Sequence, residues 1–235
     1  MSTDNNPSET PFVFPKWVDD LRPLVGIVLG LAPVYIILLV WFGLSPKTQN
    51  VGYSPEQPVP FSHAIHAGEL GLDCRYCHNT VEYASHAAIP PTATCMACHT
   101  AIKAQSEKLE PIRSSSTTGM PVPWIRVHDL PDYVYFNHSA HLTAGVSCGE
   151  CHGRVDRMEV VHQAAELSMG WCLDCHREPE KHLRPLDKVT DLAWAPQPEP
   201  GESPEDAQLR VGNYMKKMLD IHDEAYMTSC STCHR

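Results

Sequence analysis

All ten cysteines of this 235-residue chain fall into five C-x-x-C-H motifs, and this pattern constrains the fold more than any other feature. Two thiols one helical turn apart can add to the two vinyl groups of one haem, and the adjacent histidine then lies under the iron as its proximal ligand. Zinc sites would need the motifs to pair into sets of four ligands, which five motifs cannot do. Disulfides would not require a histidine after every second cysteine. The sequence therefore predicts five covalently bound haem c groups.

We number these motifs 1 to 5 in chain order and call each a haem site. The cysteines predicted to attach the haems are Cys74 and Cys77, Cys95 and Cys98, Cys148 and Cys151, Cys172 and Cys175, and Cys230 and Cys233. The predicted proximal ligands are His78, His99, His152, His176 and His234.

The chain has 14 histidines, so nine remain as candidates for the second axial position of the irons. Four of them lie in two F-x-H-x-x-H segments, where histidines three residues apart share one helical face and can reach two different irons. These four, His63, His66, His138 and His141, are predicted distal ligands, and His128 in an aromatic-rich stretch joins them. Weaker distal candidates are His86, His162, Met158 and Met169.

An internal repeat organises four of the five sites. Residues 61–99 and residues 136–176 each contain, in the same order, F-x-H-x-x-H and then two C-x-x-C-H motifs. The repeat predicts two modules of two haems each. The fifth haem site, at residues 230–234, follows alone near the end of the sequence.

A single apolar segment precedes the motifs. From Leu24 to Leu44 the chain carries no charged residue, and crossing a bilayer takes about 20 such residues. A cleaved signal peptide is the competing interpretation, but its apolar region would be shorter and would end in a small-residue cleavage site. The segment predicts a retained transmembrane helix in contact with membrane lipid.

The predicted organisation is a short cytoplasmic tail at residues 1–22, a transmembrane helix at 23–44 and a periplasmic haem domain at 45–235. Haem is attached to C-x-x-C-H motifs outside the cytoplasmic membrane, so a bacterial inner-membrane protein with a single span and its haem domain in the periplasm is expected. We expect a mainly α and irregular fold with little regular secondary structure, its core filled by haem. Residues 205–222 predict a longer helix, and residues 110–123 and 195–206 are candidate linkers.

The net charge of the chain limits the kinds of partner that it is expected to bind. The chain has 18 Lys and Arg against 28 Asp and Glu, a formal net charge of −10. Nucleic-acid binding needs a basic face, so no nucleic-acid partner is expected.

Several longer strings resemble a known family: FSHAIHAGELGLDCRYCHNTVE, IPPTATCMACH, VHDLPDYVYFNHSAHLTAGVSCGECHG and LSMGWCLDCHRE. Behind one N-terminal membrane helix, they resemble the pentahaem cytochrome c subunit of alternative complex III over nearly all of residues 24–235. The chain is also similar to the multihaem subunit of the related menaquinone reductase complex, and more distantly to class III multihaem cytochromes.

The resemblance implies an electron-transfer subunit of a quinol:acceptor oxidoreductase. Because all five motifs keep their histidine and the nine spare histidines outnumber the five irons, no catalytic site is expected in the chain itself. Its implied partners are polysulfide-reductase-like membrane subunits, an iron–sulfur subunit, and a monohaem cytochrome c or another periplasmic acceptor. Two other classes compete with this interpretation. One is a self-sufficient membrane-anchored quinol dehydrogenase that feeds a periplasmic reductase. The other is a multihaem enzyme with one iron open to substrate.

Overall fold

The computed structural model describes residues 13–45 and 50–234. The chain divides into two compact units, Met1–Gln49 and Asn50–Arg235. Residues 1–12 of the predicted cytoplasmic tail lie outside the described residues.

The first unit contains one long apolar helix. Helix α1 spans Trp17–Leu39 and continues as a π-helix over Val40–Leu44. Its most apolar stretch has a mean hydropathy of 2.6. The helix is long enough and apolar enough to cross a membrane. It begins six residues before the predicted 23, because Asp19 and Asp20 suit the positive end of the helix dipole and Asp19 pairs with Arg22 at 3.0 Å.

The second unit is built from short helical segments, and no strand occurs among residues 50–234; an isolated bridge joins Val146 and Leu183. This agrees with the predicted mainly helical and irregular fold. Its α-helices are α2 (Cys74–Cys77), α3 (Thr92–His99), α4 (Glu110–Thr118), α5 (His138–Thr143), α6 (Cys148–His152), α7 (Met169–Arg177), α8 (Pro204–Met218), α9 (Glu224–Met227) and α10 (Cys230–Cys233). A π-helix covers Ala64–Glu69, and 3-10 turns cover Glu107–Leu109, Val155–Arg157, Pro179–Lys181 and Leu186–Lys188.

Each C-x-x-C-H motif lies on one of these short helices, and capping residues begin several of them. The Asp73 carboxylate accepts a hydrogen bond from the backbone N–H of Arg75, and the Ser147 hydroxyl accepts one from Gly149. Ser168 caps α7 in the same way. Such caps satisfy backbone donors that the first turn of a helix leaves free. They hold both cysteines of a motif on one helical turn.

Few side chains are buried in the second unit. The buried apolar residues among those described are Val59, Ile112, Val122, Met158, Leu183, Val189, Ala207 and Met215. Val59, Ile112 and Val122 form one small cluster, against which Trp124 packs. This cluster corrects one expectation: residues 110–118 are helix α4 rather than a linker, because Glu110 and Pro111 favour a first turn and Ile112 fills the cluster.

Helix α8 agrees with the predicted helix at 205–222, although it ends four residues earlier, at Met218. Ser203 caps its first turn, and Lys216 and Lys217 complement the dipole of its last turn. The helix packs against the turn Pro179–Lys181 so closely that a Cβ on Gly212 would overlap the carbonyl oxygen of Glu180.

This close approach makes Gly212→Ala a destabilising substitution. Alanine is normally worth about 1 kcal/mol more than glycine inside a helix. Here the overlap with Glu180 should outweigh that gain and lower the free energy of unfolding of the haem-loaded protein by about 1–3 kcal/mol. The neighbouring exposed variant Asn213→Ala is the control and should unfold like the unmodified protein. Equal thermal midpoints for the two variants would contradict the close approach.

Candidate haem-binding sites

The five haem sites share one local geometry. In each, two cysteines lie one turn apart on a short helix, and the histidine follows at or just past its end. None of the ten cysteines forms a disulfide. Among the described residues, no group of three or more His, Cys, Asp or Glu side chains is placed to hold a metal ion, as a zinc site would require.

Four proximal histidines are oriented by backbone carbonyls. The Nδ1 atom of His78 lies 3.0 Å from the Ala88 oxygen, and Nδ1 of His99 lies 2.9 Å from the Ile102 oxygen. A carbonyl only accepts hydrogen bonds, so each Nδ1 carries the hydrogen and each Nε2 presents a lone pair. The same bond is made by His176 to Met227 (2.9 Å) and by His234 to Tyr133 (2.9 Å). This arrangement of the second ring nitrogen is typical of metal-binding histidines.

Three of the predicted distal histidines make the same kind of hydrogen bond to a backbone oxygen. Nδ1 of His66 donates to the backbone oxygen of Ser62, Nδ1 of His138 to that of Ser85, and Nδ1 of His141 to that of Asn137, each at 2.8 Å. Their Nε2 atoms therefore also present lone pairs.

The phenylalanine of F-x-H-x-x-H explains why this segment recurs. Phe61 stacks on His66 with ring centres 4.4 Å apart and meets His63 edge-on at 4.8 Å. Phe136 repeats both contacts in the second module, at 4.5 Å with His141 and 4.8 Å with His138. One aromatic ring thus fixes the orientation of two imidazoles in each module.

Proximal and distal rings face one another in three pairs. The ring centres are 6.2 Å apart for His66 and His99, 6.2 Å for His141 and His176, and 6.4 Å for His138 and His152. Metal–imidazole bonds are about 2 Å long, so a metal bound between two facing imidazoles separates their ring centres by about 6 Å. These three pairs are therefore spaced to bind one iron each, at sites 2, 4 and 3.

At site 1 the arrangement is less complete. His63 lies near His78, and its Nδ1 atom is buried without a hydrogen-bond partner. The repeat predicts for His63 the same position toward His78 that His138 takes toward His152.

Site 3 differs from the others in what its proximal histidine contacts. Nδ1 of His152 lies 3.3 Å from Nε2 of His128, and the two rings are nearly perpendicular at 83°. His128 therefore contacts the Nδ1 atom of His152 and does not lie opposite its Nε2 atom. The distal role predicted for His128 stays a prediction.

The weaker distal candidates lie in varied surroundings. His86 is exposed, and Met169 is exposed over 66% of its surface. His162 is half-buried and near His128, and Met158 is buried against Gly153. Their roles as ligands stay predictions.

Burial keeps several of these imidazoles neutral. It lowers the pKa of His152 to about 3 and, with the nearby His78 and His66, lowers the pKa of His63 to about 4. It also lowers the pKa values of His128 and His141. A neutral imidazole keeps the lone pair that binds iron, so these rings are suited to ligation at neutral pH.

Two parts of the sites escape prediction from the sequence. One is the set of backbone oxygens that orient the imidazoles, because an oxygen common to every residue carries no sequence signal. The other is Glu150 inside motif 3, which binds His182 at 2.9 Å and Arg184 at 3.1 Å. His182 and Arg184 are charged or titratable residues outside every motif, so only the fold reveals their contact with Glu150.

Two comparisons agree with this geometry. Residues 59–116 match the family "Cytochrome c7 and related cytochrome c". The multiheme cytochrome c subunit of a menaquinone reductase from Nitratidesulfovibrio vulgaris is 33% identical over 126 residues, which are 52% of this chain and 59% of that protein. The chain thus matches somewhat more than half the length of this relative. Paired cysteines on short helices and lone pairs on facing imidazoles are the features that covalent haem c requires, and residues 59–116, which contain sites 1 and 2, are similar to cytochrome c7 and related cytochromes c.

Proposed function

We propose that the chain is a membrane-anchored cytochrome with five haem c groups that relays electrons from quinol-oxidising membrane subunits to a periplasmic acceptor. A bound haem iron supplies a one-electron couple between its ferrous and ferric states. The protein attaches each haem through two cysteines, supplies its axial imidazoles and anchors the set at the membrane.

The observation that carries this proposal is the set of facing imidazole pairs. At sites 2, 3 and 4, a second imidazole faces the proximal one at 6.2–6.4 Å. Both axial positions would be filled there, which leaves no open position for a substrate. Filled positions favour electron transfer over the multihaem enzyme.

We also propose that α1 anchors the chain in the bacterial inner membrane and that residues 45–235 form the periplasmic domain. The apolar length of α1 supports the anchor. The requirement that haem be attached outside the cytoplasmic membrane supports the orientation.

The proposed partners are the subunits of a respiratory complex of the alternative complex III type: polysulfide-reductase-like membrane subunits, an iron–sulfur subunit and a monohaem cytochrome c. The relative's name, a subunit of a menaquinone reductase, supports an assembly of several subunits that acts on quinone. The strings that resemble the alternative complex III subunit support the finer assignment.

The chain should not oxidise quinol alone. Quinol oxidation releases two protons together with two electrons, so it needs a proton acceptor beside the ring. Between Leu24 and Leu44 there is no Asp, Glu, His, Lys or Arg. A single helix also lacks the several walls that a ring-sized pocket requires. The membrane subunits should supply the quinol site.

The test is to purify the full chain with its haems attached and mix it with a reduced quinol analogue in stopped-flow spectroscopy. We expect no rapid haem reduction until the membrane subunits are added back. Dithionite, which needs no quinol site, is the control and should reduce the haems of the isolated chain. Fast, inhibitor-sensitive reduction of the isolated chain by the quinol would instead establish the self-sufficient quinol dehydrogenase.

A further inference from the structure

The contacts between haem sites reveal how the sites follow one another in space. The two F-x-H-x-x-H segments make the first two links. His66 faces His99 of site 2, and His63, three residues earlier on the same turn, neighbours His78 of site 1. Residues three apart on a helix are neighbours, so sites 1 and 2 are adjacent. Cys77 of site 1 and Cys95 of site 2 also lie near each other.

The second segment links sites 3 and 4 in the same way. His138 faces His152 of site 3, and His141 faces His176 of site 4. The Cys151 thiol of site 3 lies near Cys175 of site 4.

Contacts between the two modules join site 1 to site 3. The side chains of Cys74 and Cys148 lie next to each other. Close by, Thr190 donates to the Asp73 carboxylate at 2.9 Å, and the backbone N–H of Cys148 donates to the Val189 oxygen. Residues 189–190 thus contact both the cap of α2 and the first residue of α6.

Further contacts join the modules and extend the series to site 5. His138 of the second module binds the Ser85 oxygen, just after motif 1, at 2.8 Å. At site 4, Nδ1 of His176 donates to the oxygen of Met227 in α9, three residues before motif 5. Helix α9 packs against α7, and Cys172 lies near Cys233 of site 5.

Exposure distinguishes the ends of this series from its middle. Cys98 of site 2 and Cys230 of site 5 are exposed, and the other eight motif cysteines are half-buried. Each end of the series thus has one exposed attachment cysteine.

We infer that the five haem sites form one unbranched line in the order 2, 1, 3, 4, 5, with site 3 at its centre and sites 2 and 5 as its two ends. The inference rests on the proposed function, which supplies the count of five haems. It differs from chain order, because site 1 is internal and site 2 is terminal. Electrons would therefore be exchanged with other proteins at sites 2 and 5.

The test compares two matched deletions in the full, haem-loaded chain. Cys74→Ser with Cys77→Ser removes site 1, and Cys95→Ser with Cys98→Ser removes site 2. The charge of one iron affects the reduction potential of another, and this effect falls with distance. Loss of site 1 should shift the potentials of two remaining haems, and loss of site 2 should shift one. Potentials are read by redox titration of the separate low-spin electron paramagnetic resonance signals.

Two shifted potentials on loss of site 2 and one on loss of site 1 would overturn the line in favour of chain order. Equal numbers of shifts would overturn it as well. A crystal structure of the haem-loaded chain is the second measurement, should a deletion variant not fold. Nearest iron pairs 2–1, 1–3, 3–4 and 4–5 support the line, and any other set of nearest pairs overturns it. Fewer than five haems by mass in the unmodified chain would overturn the proposed function itself, whereas five haems in another order would overturn only the line.

Discussion

A chain synthesised without haem attachment should not form a stable fold over residues 50–234. Only eight apolar side chains are buried among the described residues, and one small cluster is centred on Val59, Ile112 and Val122. Apolar burial is the main favourable term in folding, and it must offset the conformational entropy of every ordered residue. So small an apolar core cannot offset the conformational entropy lost when a unit of this length becomes ordered. The haems must supply most of the buried apolar surface.

The helices cannot compensate, because most are too short to persist alone. Those that carry motifs 1, 3 and 5 have four or five residues, whereas isolated helices shorter than about 12 residues are marginal in water. We therefore expect the haem-free chain, made in cells that lack haem-attachment enzymes, to show no cooperative thermal transition in circular dichroism. Its backbone amides should exchange hydrogen rapidly.

The haem-loaded chain from the same expression plasmid is the matched control, and it should unfold cooperatively. A cooperative transition in the haem-free chain, with protected amides around Ile112 and Leu183, would mean that the side chains alone form a sufficient core. Haem would then not be the main source of buried apolar surface in this fold.

The sequence predicted the parts of this molecule that depend on neighbouring residues. The mainly helical fold, the apolar helix and the helix near 205–222 all follow from local composition and periodicity, and all are confirmed. The spacing of His63 and His66 predicted that two imidazoles would share a helical turn. The structure adds the reason for the phenylalanine before them, because the Phe61 ring contacts both imidazoles.

What the sequence could not predict depends on contacts between distant residues. The run of serines and threonines in helix α4 is typical of a linker, whereas packing of Ile112 with Val59 and Val122 holds the segment in place as a helix. His128 contacts His152 across 24 residues, and the bond between Thr190 and Asp73 spans 117. No local pattern records such pairs, so the order of the sites is visible only in the fold.

Replacing His66 with Ala should convert one haem from low-spin to high-spin without detaching it. His66 is the imidazole that faces His99 at 6.2 Å, so its loss leaves His99 as the axial ligand that remains at site 2. The cysteines that hold the haem are unchanged. Electron paramagnetic resonance of the oxidised protein should show one more high-spin haem than the unmodified protein shows, at the same haem content by mass. His141→Ala should have the same effect at site 4, where His141 faces His176.

Two controls separate loss of a ligand from general damage. His222→Ala removes an imidazole whose ring centre lies 4.1 Å from that of Tyr226, with the two rings tilted by 39°, and His222 is not part of the three facing pairs among the described residues. That variant should show the same spin states as the unmodified protein. Free imidazole added to His66→Ala should enter the vacated position and restore the low-spin signal, because the proximal side is intact. A low-spin spectrum from His66→Ala without added imidazole would mean that another residue binds this iron, and the facing pair would not be its ligand set.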